Sequence, residues 1–342
     1  MRTPAPLIVL ILTTAAAVVA AQSQEGFRFK SGVEFVNVTA TVTDDNGRFV
    51  SGLRQEDFTV YEDGKIQDVS HFSSDRVPVS LGIALDTSGS MSPEKFAAAR
   101  AAIERLIFKL LDQEDELFFV EFATRAEVTQ GWTTDRQLIS QALRRVEPVG
   151  GTALYDAVAE AIPTAEEGRN RKKALLVISD GNDTNSSIGV AALRQRIRES
   201  EVLVYALGVD STGRDTPRVV QPQVQFPPGP IPFPFPGGRR PTPRYPPIGG
   251  GGGTTNWPRS PGERVNADAL RQITDDTGGR TEIVRGFEGL DGATARIADE
   301  LSKQYFLGYT SSVNKDGKWH SIRVTVRDRN LNVRARRGYV AS

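Results

Sequence analysis

Between Pro78 and Asp210 the chain alternates short apolar runs with segments whose apolar residues recur at helical spacing. That alternation narrows the possible folds more than any other feature. Ser80–Leu85, Leu117–Phe122, Ala174–Ser179 and Val202–Val209 read as strands. Phe96, Ala99, Ile103, Leu106, Ile107, Leu110 and Leu111 share one helical face. Leu138, Ala142 and Val146, then Leu154, Val158 and Ile162, then Leu193 and Ile197 repeat that spacing. Ser92-Pro93 is a helix start, with a hydroxyl at the cap and proline at the first helical position. Ala174–Ser179 is almost continuously apolar, as a strand buried on both faces must be. Strands alternating with helices predict an α/β fold, a doubly wound and mostly parallel sheet covered on both sides. Ala126–Gln130 reads as a hairpin partner for Leu117–Phe122.

The flanks have a different period. Val36, Val38, Ala40 and Val42 alternate with polar residues, and Asp45-Asn46-Gly47 is a turn. Phe58–Tyr61, Asp63-Gly64 and Ile66–Phe72 read as a hairpin. At the other end Tyr305, Leu307 and Tyr309 alternate, as do Ile322, Val324 and Val326, with Leu331, Val333 and Ala335 after a turn. Neither end has enough residues for a core of its own. Together they predict one β-sandwich-like domain of about seven strands, built from residues 22–77 and 304–342, with an α/β domain over residues 78–303 inserted in it. Within that insert, residues 211–262 hold most of the prolines and end in Gly249–Gly253, a composition that favours extended and flexible chain over a core. The α/β pattern resumes with a helix near Asn266–Asp275, a strand Thr281–Val284 and a helix from about Leu290 to Lys303.

The length of 342 residues accommodates such a two-domain plan. Lys plus Arg and Asp plus Glu both total 42, so bulk charge points to no nucleic acid partner and no anionic membrane surface. The basic run Arg334–Arg337 is too short to change this and reads as a solvated strand face. There are no cysteines, which removes disulfides, thiolate metal sites and cysteine nucleophiles. Residues 1–21 read as a signal peptide: Arg2, an apolar stretch Leu7–Ala20, and small residues before Gln22. The run is short for a membrane span, which needs about 20 residues. The expectation is a periplasmic or secreted protein with no integral span after signal removal, the alternative being an uncleaved membrane anchor.

Three polar clusters fall just beyond apolar strands or before a helix. Asp86-Thr87-Ser88-Gly89-Ser90 follows the first strand, Gly150-Gly151-Thr152 precedes a helix, and Asp180-Gly181 follows Ala174–Ser179. In open parallel sheets, loops after different strands converge on one edge, where ligands bind. Asp86, Ser88, Ser90, Thr152 and Asp180 therefore meet despite their separation. Two carboxylates and three hydroxyls form an all-oxygen set suited to a small hard dication such as Mg2+ or Mn2+. The neutral hydroxyls leave the ion electrophilic, so an incoming carboxylate can complete its shell.

This pattern resembles, position by position, the metal-ion-dependent adhesion site of von Willebrand factor A and integrin I domains. The resemblance runs over about Pro78–Lys303 apart from the proline-rich stretch. It implies a doubly wound sheet with one antiparallel edge strand, and a metal held by the two serines and the threonine with the aspartates acting often through water. It also implies a partner protein that supplies an acidic side chain. The flanks, with Asp44-Asp45-Asn46-Gly47, Gly52-Leu53, Asp57-Phe58, Glu62-Asp63-Gly64 and Tyr305-x-Leu307-Gly308-Tyr309, resemble exported bacterial proteins called VWFA-related, abundant in acidobacteria.

Enzyme readings find less support. The histidines, His71 and His320, sit in the β flanks, away from the loops that would need them for a Ser–His–Asp arrangement. No glycine-rich loop with lysine follows a strand. A metal-assisted hydrolase and a scaffold without metal affinity stay as alternatives. Asn182 and Asp183 read as loop residues, Asp115 and Glu116 as solvated, and Trp132 and Trp319 as packing residues.

Overall fold

A computed structural model describes residues 34–210, 265–286, 288–313 and 315–341. The expected signal segment 1–21 and the proline-rich stretch 211–262 lie outside the described residues.

The central sheet forms because its strands are apolar on both faces. It contains β5 (Val79–Asp86), β6 (Glu116–Phe122), β7 (Ala126–Thr133), β8 (Lys172–Ser179), β9 (Leu203–Asp210) and β10 (Thr281–Arg285), in the order β10-β9-β8-β5-β6-β7. All pairings are parallel except β6 with β7, the expected hairpin. Every residue of β5 is buried. Leu81, Ile83 and Leu85 enter one core with Leu176 and Ile178; Ala84 enters the other with Leu175 and Val177. The two-residue period of a strand thus feeds two separate cores.

The first core is closed by α1 (Pro93–Arg105), α2 (Arg136–Arg145) and α6 (Gly289–Lys303). The second is closed by α3 (Leu154–Glu166), α4 (Val190–Glu199) and α5 (Ala267–Thr274). Ser92 caps α1 by accepting from the Lys95 backbone N–H, with Pro93 at its first position, as read from sequence. The helical spacing that continues past Arg105 becomes a π-helical turn over Leu106–Leu110.

The remaining strands are β1 (Glu34–Thr43), β2 (Phe58–Glu62), β3 (Lys65–Gln67), β4 (Val69–Ser73), β11 (Tyr305–Ser311), β12 (Trp319–Val326), β13 (Asn332–Ala335) and β14 (Gly338–Val340). They make two four-stranded sheets, β13-β1-β11-β4 and β14-β12-β2-β3. Strands from both chain ends interleave in each: β1 lies between β11 and β13, and β2 pairs with β12. Among the described residues the flanks form eight strands, against the about seven expected. The segment Ile66–Phe72 is also not one hairpin arm: it breaks at Asp68, and β4 crosses to the other sheet. That break lets Val69 enter the shared core with Val38, Val60 and Leu307.

Two buried carboxylates fasten these layers. Glu62 on β2 accepts from Tyr309 Oη at 3.0 Å, Ser311 Oγ at 2.9 Å and Tyr339 Oη at 2.7 Å, joining the two small sheets. Glu300 on α6 accepts from Thr41 Oγ1 at 3.1 Å, Tyr205 Oη at 2.9 Å and Arg334, joining the α/β layer to β1 and β13. Buried acids of this kind are tolerated only with such donors. Asp115 and Glu116 likewise are not solvated. Asp115 is fully buried and accepts from Arg76 at 2.7 Å and the Val79 N–H at 2.9 Å, while Glu116 accepts from Ser80 Oγ at 2.6 Å. They hold the start of β5 beside β6, a role that their polar character alone does not reveal.

Because β1 finds both neighbours near the C-terminus, a chain ending at Lys303 should lose the N-terminal strands as well. In hydrogen exchange, amides of Val36–Val42 should lose protection in that truncated chain while those of β5 and β8 keep it. Retained protection of β1 would show that residues 34–73 hold their fold alone.

Candidate metal centre

The site is built at the carboxyl ends of β5 and β8. Their register pairs Leu85 with Ile178, so the next residues, Asp86 and Ser179, come side by side. Ser179 Oγ donates to Asp86 Oδ2 at 2.5 Å. The chain after Asp86 folds back so that the Ser88 N–H donates to Asp86 Oδ1 at 2.9 Å, the local turn that aspartate favours. This places the Ser88 and Ser90 hydroxyls 2.9 Å apart. Asp86, Ser88 and Ser90 thus form one connected group.

Thr152 and Asp180 reach it through their loops. Gly89 N–H donates to Gly150 O at 2.9 Å and Val149 N–H to Thr87 O at 2.7 Å, tying the β5 loop to the segment that leads into α3. Gly150 has φ +87, a backbone state that glycine adopts without strain. Thr152 N–H donates to Thr184 Oγ1 at 2.9 Å, and Thr152 O accepts from the Thr184 N–H at 2.8 Å. That clamp joins the Thr152 loop to the loop bearing Asp180. The Thr152 residue is 2% exposed. No hydrogen bond directly links Thr152 or Asp180 to Asp86, Ser88 or Ser90 among the described residues.

Sequence reasoning missed two groups here. One is Ser179, the polar last residue of an apolar strand. The other is Lys95, which is 2% exposed. Its ammonium lies 3.5 Å from Asp180 Oδ2 and donates to Ser90 O at 3.2 Å. It bridges the β5 and β8 loops and offsets one of the two carboxylate charges. The signal was present in the helical period: Lys95 sits four positions before Ala99 and seven before Ala102, on the buried face of α1. Asn182 and Asp183 remain loop residues. Asp183 Oδ1 accepts from the Leu154 N–H at 2.8 Å and so caps α3 rather than facing the candidate site.

The donor set fits a hard dication. Its oxygens come from two acids and three hydroxyls, the all-oxygen chemistry such an ion prefers. Among the described residues no cluster of three or more His, Cys, Asp or Glu exists, so a metal here depends on the hydroxyls. Burial pushes the Asp86 carboxyl up to about 6, against hydrogen bonds from Ser179 and Ser88 that favour the charged form.

Residues 81–182 match the family model described as the von Willebrand factor type A domain. The chain therefore carries a domain of that class. Matrilin-1 of Homo sapiens is 29% identical over 168 residues, covering 43% of this chain and 32% of matrilin-1. An uncharacterised protein of Synechocystis is 28% identical over 142 residues, covering 39% of this chain and 32% of its own length. The chain thus spans about a third of the curated relatives it matches. Among solved structures, a von Willebrand factor type A protein from Catenulispora acidiphila aligns with TM-score 0.47 and 14% identity, over 91% of this chain and 75% of that one. BatB from Bacteroides thetaiotaomicron aligns with TM-score 0.45 and 23% identity, over 66% of this chain and 98% of that one.

The Asp86 pKa sets a pH dependence for the metal-free protein. A raised carboxyl binds its proton more readily folded than unfolded. Its charge therefore costs stability above about pH 6, and that cost is relieved as the pH falls towards 4. Relative to Asp86→Asn in EDTA, the wild type should gain up to about 3 kcal/mol between pH 7 and pH 4 in denaturant melts. Parallel pH profiles of the two proteins would refute it. Lys95→Met should lower the melting temperature in EDTA by several degrees, because it leaves Asp180 buried without its cation. Adding Asp180→Asn should recover part of that loss.

Proposed function

We propose that this protein is an exported, metal-dependent protein-binding module that captures an acidic side chain of a partner through Mg2+ or Mn2+. Asp86, Ser88, Ser90, Thr152 and Asp180 would hold the ion. The observation that carries the reading is the convergence of three loops on one edge of the sheet, locked by Ser179–Asp86, Gly89–Gly150 and Thr184–Thr152. When bound, the ion would supply Lewis acidity towards a carboxylate oxygen. The chain's own part is to fix the donors. Ser179 and the Ser88 N–H orient Asp86, the Ser88–Ser90 contact sets the spacing of two hydroxyls, and the Thr184 clamp presents Thr152. Lys95 leaves the two acids with one net negative charge, so a loaded centre would be net positive and would favour an anionic partner group.

A hydrolase gains nothing from this geometry. His320 is held in the β flank between Asp63 at 2.7 Å and Asp316 at 3.1 Å, and His71 lies on β4 in the same flank. A second reading, a scaffold without metal affinity, draws on the Lys95 ammonium, which already partners Asp180. Export rests on the reading of residues 1–21; no helix among the described residues is long and apolar enough to cross a membrane.

Isothermal titration with Mg2+ and Mn2+ separates the two readings. The adhesion-type module should bind one ion, lose at least about tenfold in affinity in Asp86→Ala, and bind more weakly as the pH falls through about 6, where the proton competes for Asp86. An acidic partner from the native envelope should be retained with Mg2+ and released by EDTA. No heat with either ion would leave the scaffold reading.

A further inference from the structure

The basic run Arg334–Arg337 does not end as an isolated strand face. It lines a groove of about 430 Å3 between β12, β13 and the corner joining α5 to β10. Arg271 from α5, Arg280 from the corner and Arg323 from β12 line the same groove as Arg334 and Arg337, while the Arg336 guanidinium turns away to the Gly338 and Ser200 carbonyls. Asp275 is the one acid among its lining residues. In a chain of zero formal net charge, five guanidiniums around one opening are a local concentration.

The acids that hold these arginines lie beneath them. Glu300 has a fully buried side chain and pairs with Arg280 at 3.0 Å and with Arg334. Asp276, with its side chain 6% exposed, lies 3.8 Å from Arg337, whose own side chain is 62% exposed. Arg280 Nε and Nη2 lie at ion-pair distance from Glu300 and Glu282 but out of line for hydrogen bonds, so these buried donors lack acceptors. Arg323 stacks 4.0 Å from the Tyr61 ring centroid and has no acidic partner among the described residues. Backing by buried carboxylates and by an aromatic ring fixes the guanidinium planes while their outer edges remain open. Fixed guanidinium forks match oxyanions in two-point hydrogen bonds.

The groove continues. A second opening of about 450 Å3 shares Arg323, Val324 and Val333 with the first and adds Arg327 and Arg329 with one acid, Asp328, between them. A trough this long suits several oxyanions in a row rather than one. No aromatic residue lines either part, so nucleic acid bases would have nothing to stack on.

We propose that this trough binds an acidic polysaccharide, a linear polymer bearing sulfate or uronate groups. It lies beside the amino end of β10, where Thr281 pairs with Ala206, whereas Asp86 and Asp180 lie at the carboxyl ends of β5 and β8. Polymer binding is therefore independent of the metal centre, and a failure of either assignment leaves the other standing.

The experiment uses the full chain and size-defined heparin, titrated at low ionic strength. The variant is Arg323→Ala with Arg337→Ala; both side chains are exposed and neither pairs with Glu300. The control removes two charges elsewhere, Lys109→Ala with Arg145→Ala. Wild type and control should bind heparin equally, with affinity falling as salt rises and unchanged by EDTA. The trough variant should lose about tenfold in affinity at an unchanged melting temperature. Equal affinity of the trough variant and the wild type overturns the proposal, as does absence of heparin binding by the wild type. Loss of binding in EDTA overturns it by transferring the site to the metal edge. Tighter binding of duplex DNA than of heparin at the same salt overturns the assignment to a polysaccharide.

Discussion

Burial of the central strands on both faces is the constraint from which the rest of the architecture follows. β5, β8 and β9 place apolar side chains alternately into two cores, and each core needs its own layer of helices. Fully burying one Leu or Ile contributes about 1.5–3 kcal/mol, so a register slip by one residue would be opposed by every inward position at once. The same burial leaves the polar groups of the strand ends as the places where chemistry is affordable. Asp86 and Ser179 are the first polar side chains beyond the apolar stretches of β5 and β8, and parallel register sets them side by side.

The candidate site shows how a buried acid is managed without a nearby arginine. Asp86 receives hydrogen bonds from Ser179 and the Ser88 backbone, which orient it but do not overcome its desolvation. Asp180 is treated differently, with the Lys95 ammonium close by. One acid is thus held mainly by dipoles and the other by a charge. Elsewhere the same device serves structure. Glu62 is satisfied by three hydroxyls, and Glu300 is satisfied by hydroxyls together with arginine. Glu300 matters to both proposals, because it ties the α/β layer to β1 and also seats Arg280 and Arg334 beside the trough.

The two proposed surfaces divide the molecule's chemistry by charge. The carboxyl edge of the sheet is acidic and rich in hydroxyls, suited to a cation and, through it, to an acidic protein group. The trough at the other end is lined by guanidiniums and suited to a polymer of oxyanions. A chain with 42 basic and 42 acidic residues has no bulk preference, so its recognition properties come from how the fold sorts those charges.

The sequence by itself determined the parts whose signals are local. The alternation of apolar runs and helical spacing reported the doubly wound sheet, Ser92-Pro93 reported the start of α1, and the polar clusters after β5 and β8 reported which loops carry the candidate ligands. These are legible because periodicity and capping depend on neighbours a few residues away. Tertiary structure decided the rest. Only the fold shows that the inward face of α1 brings Lys95 to Asp180, that Asp115 and Glu116 are buried, that Ile66–Phe72 splits between two sheets, and that Arg334–Arg337 is joined by arginines from α5, the β10 corner and β12. Whether a charged side chain is solvated or buried depends on the partner it meets, and those partners lie far along the chain, 36 residues for Asp115 and the Val79 N–H and 85 for Lys95 and Asp180. No local pattern encodes such a meeting, because it exists only once chain closure has brought the two segments together.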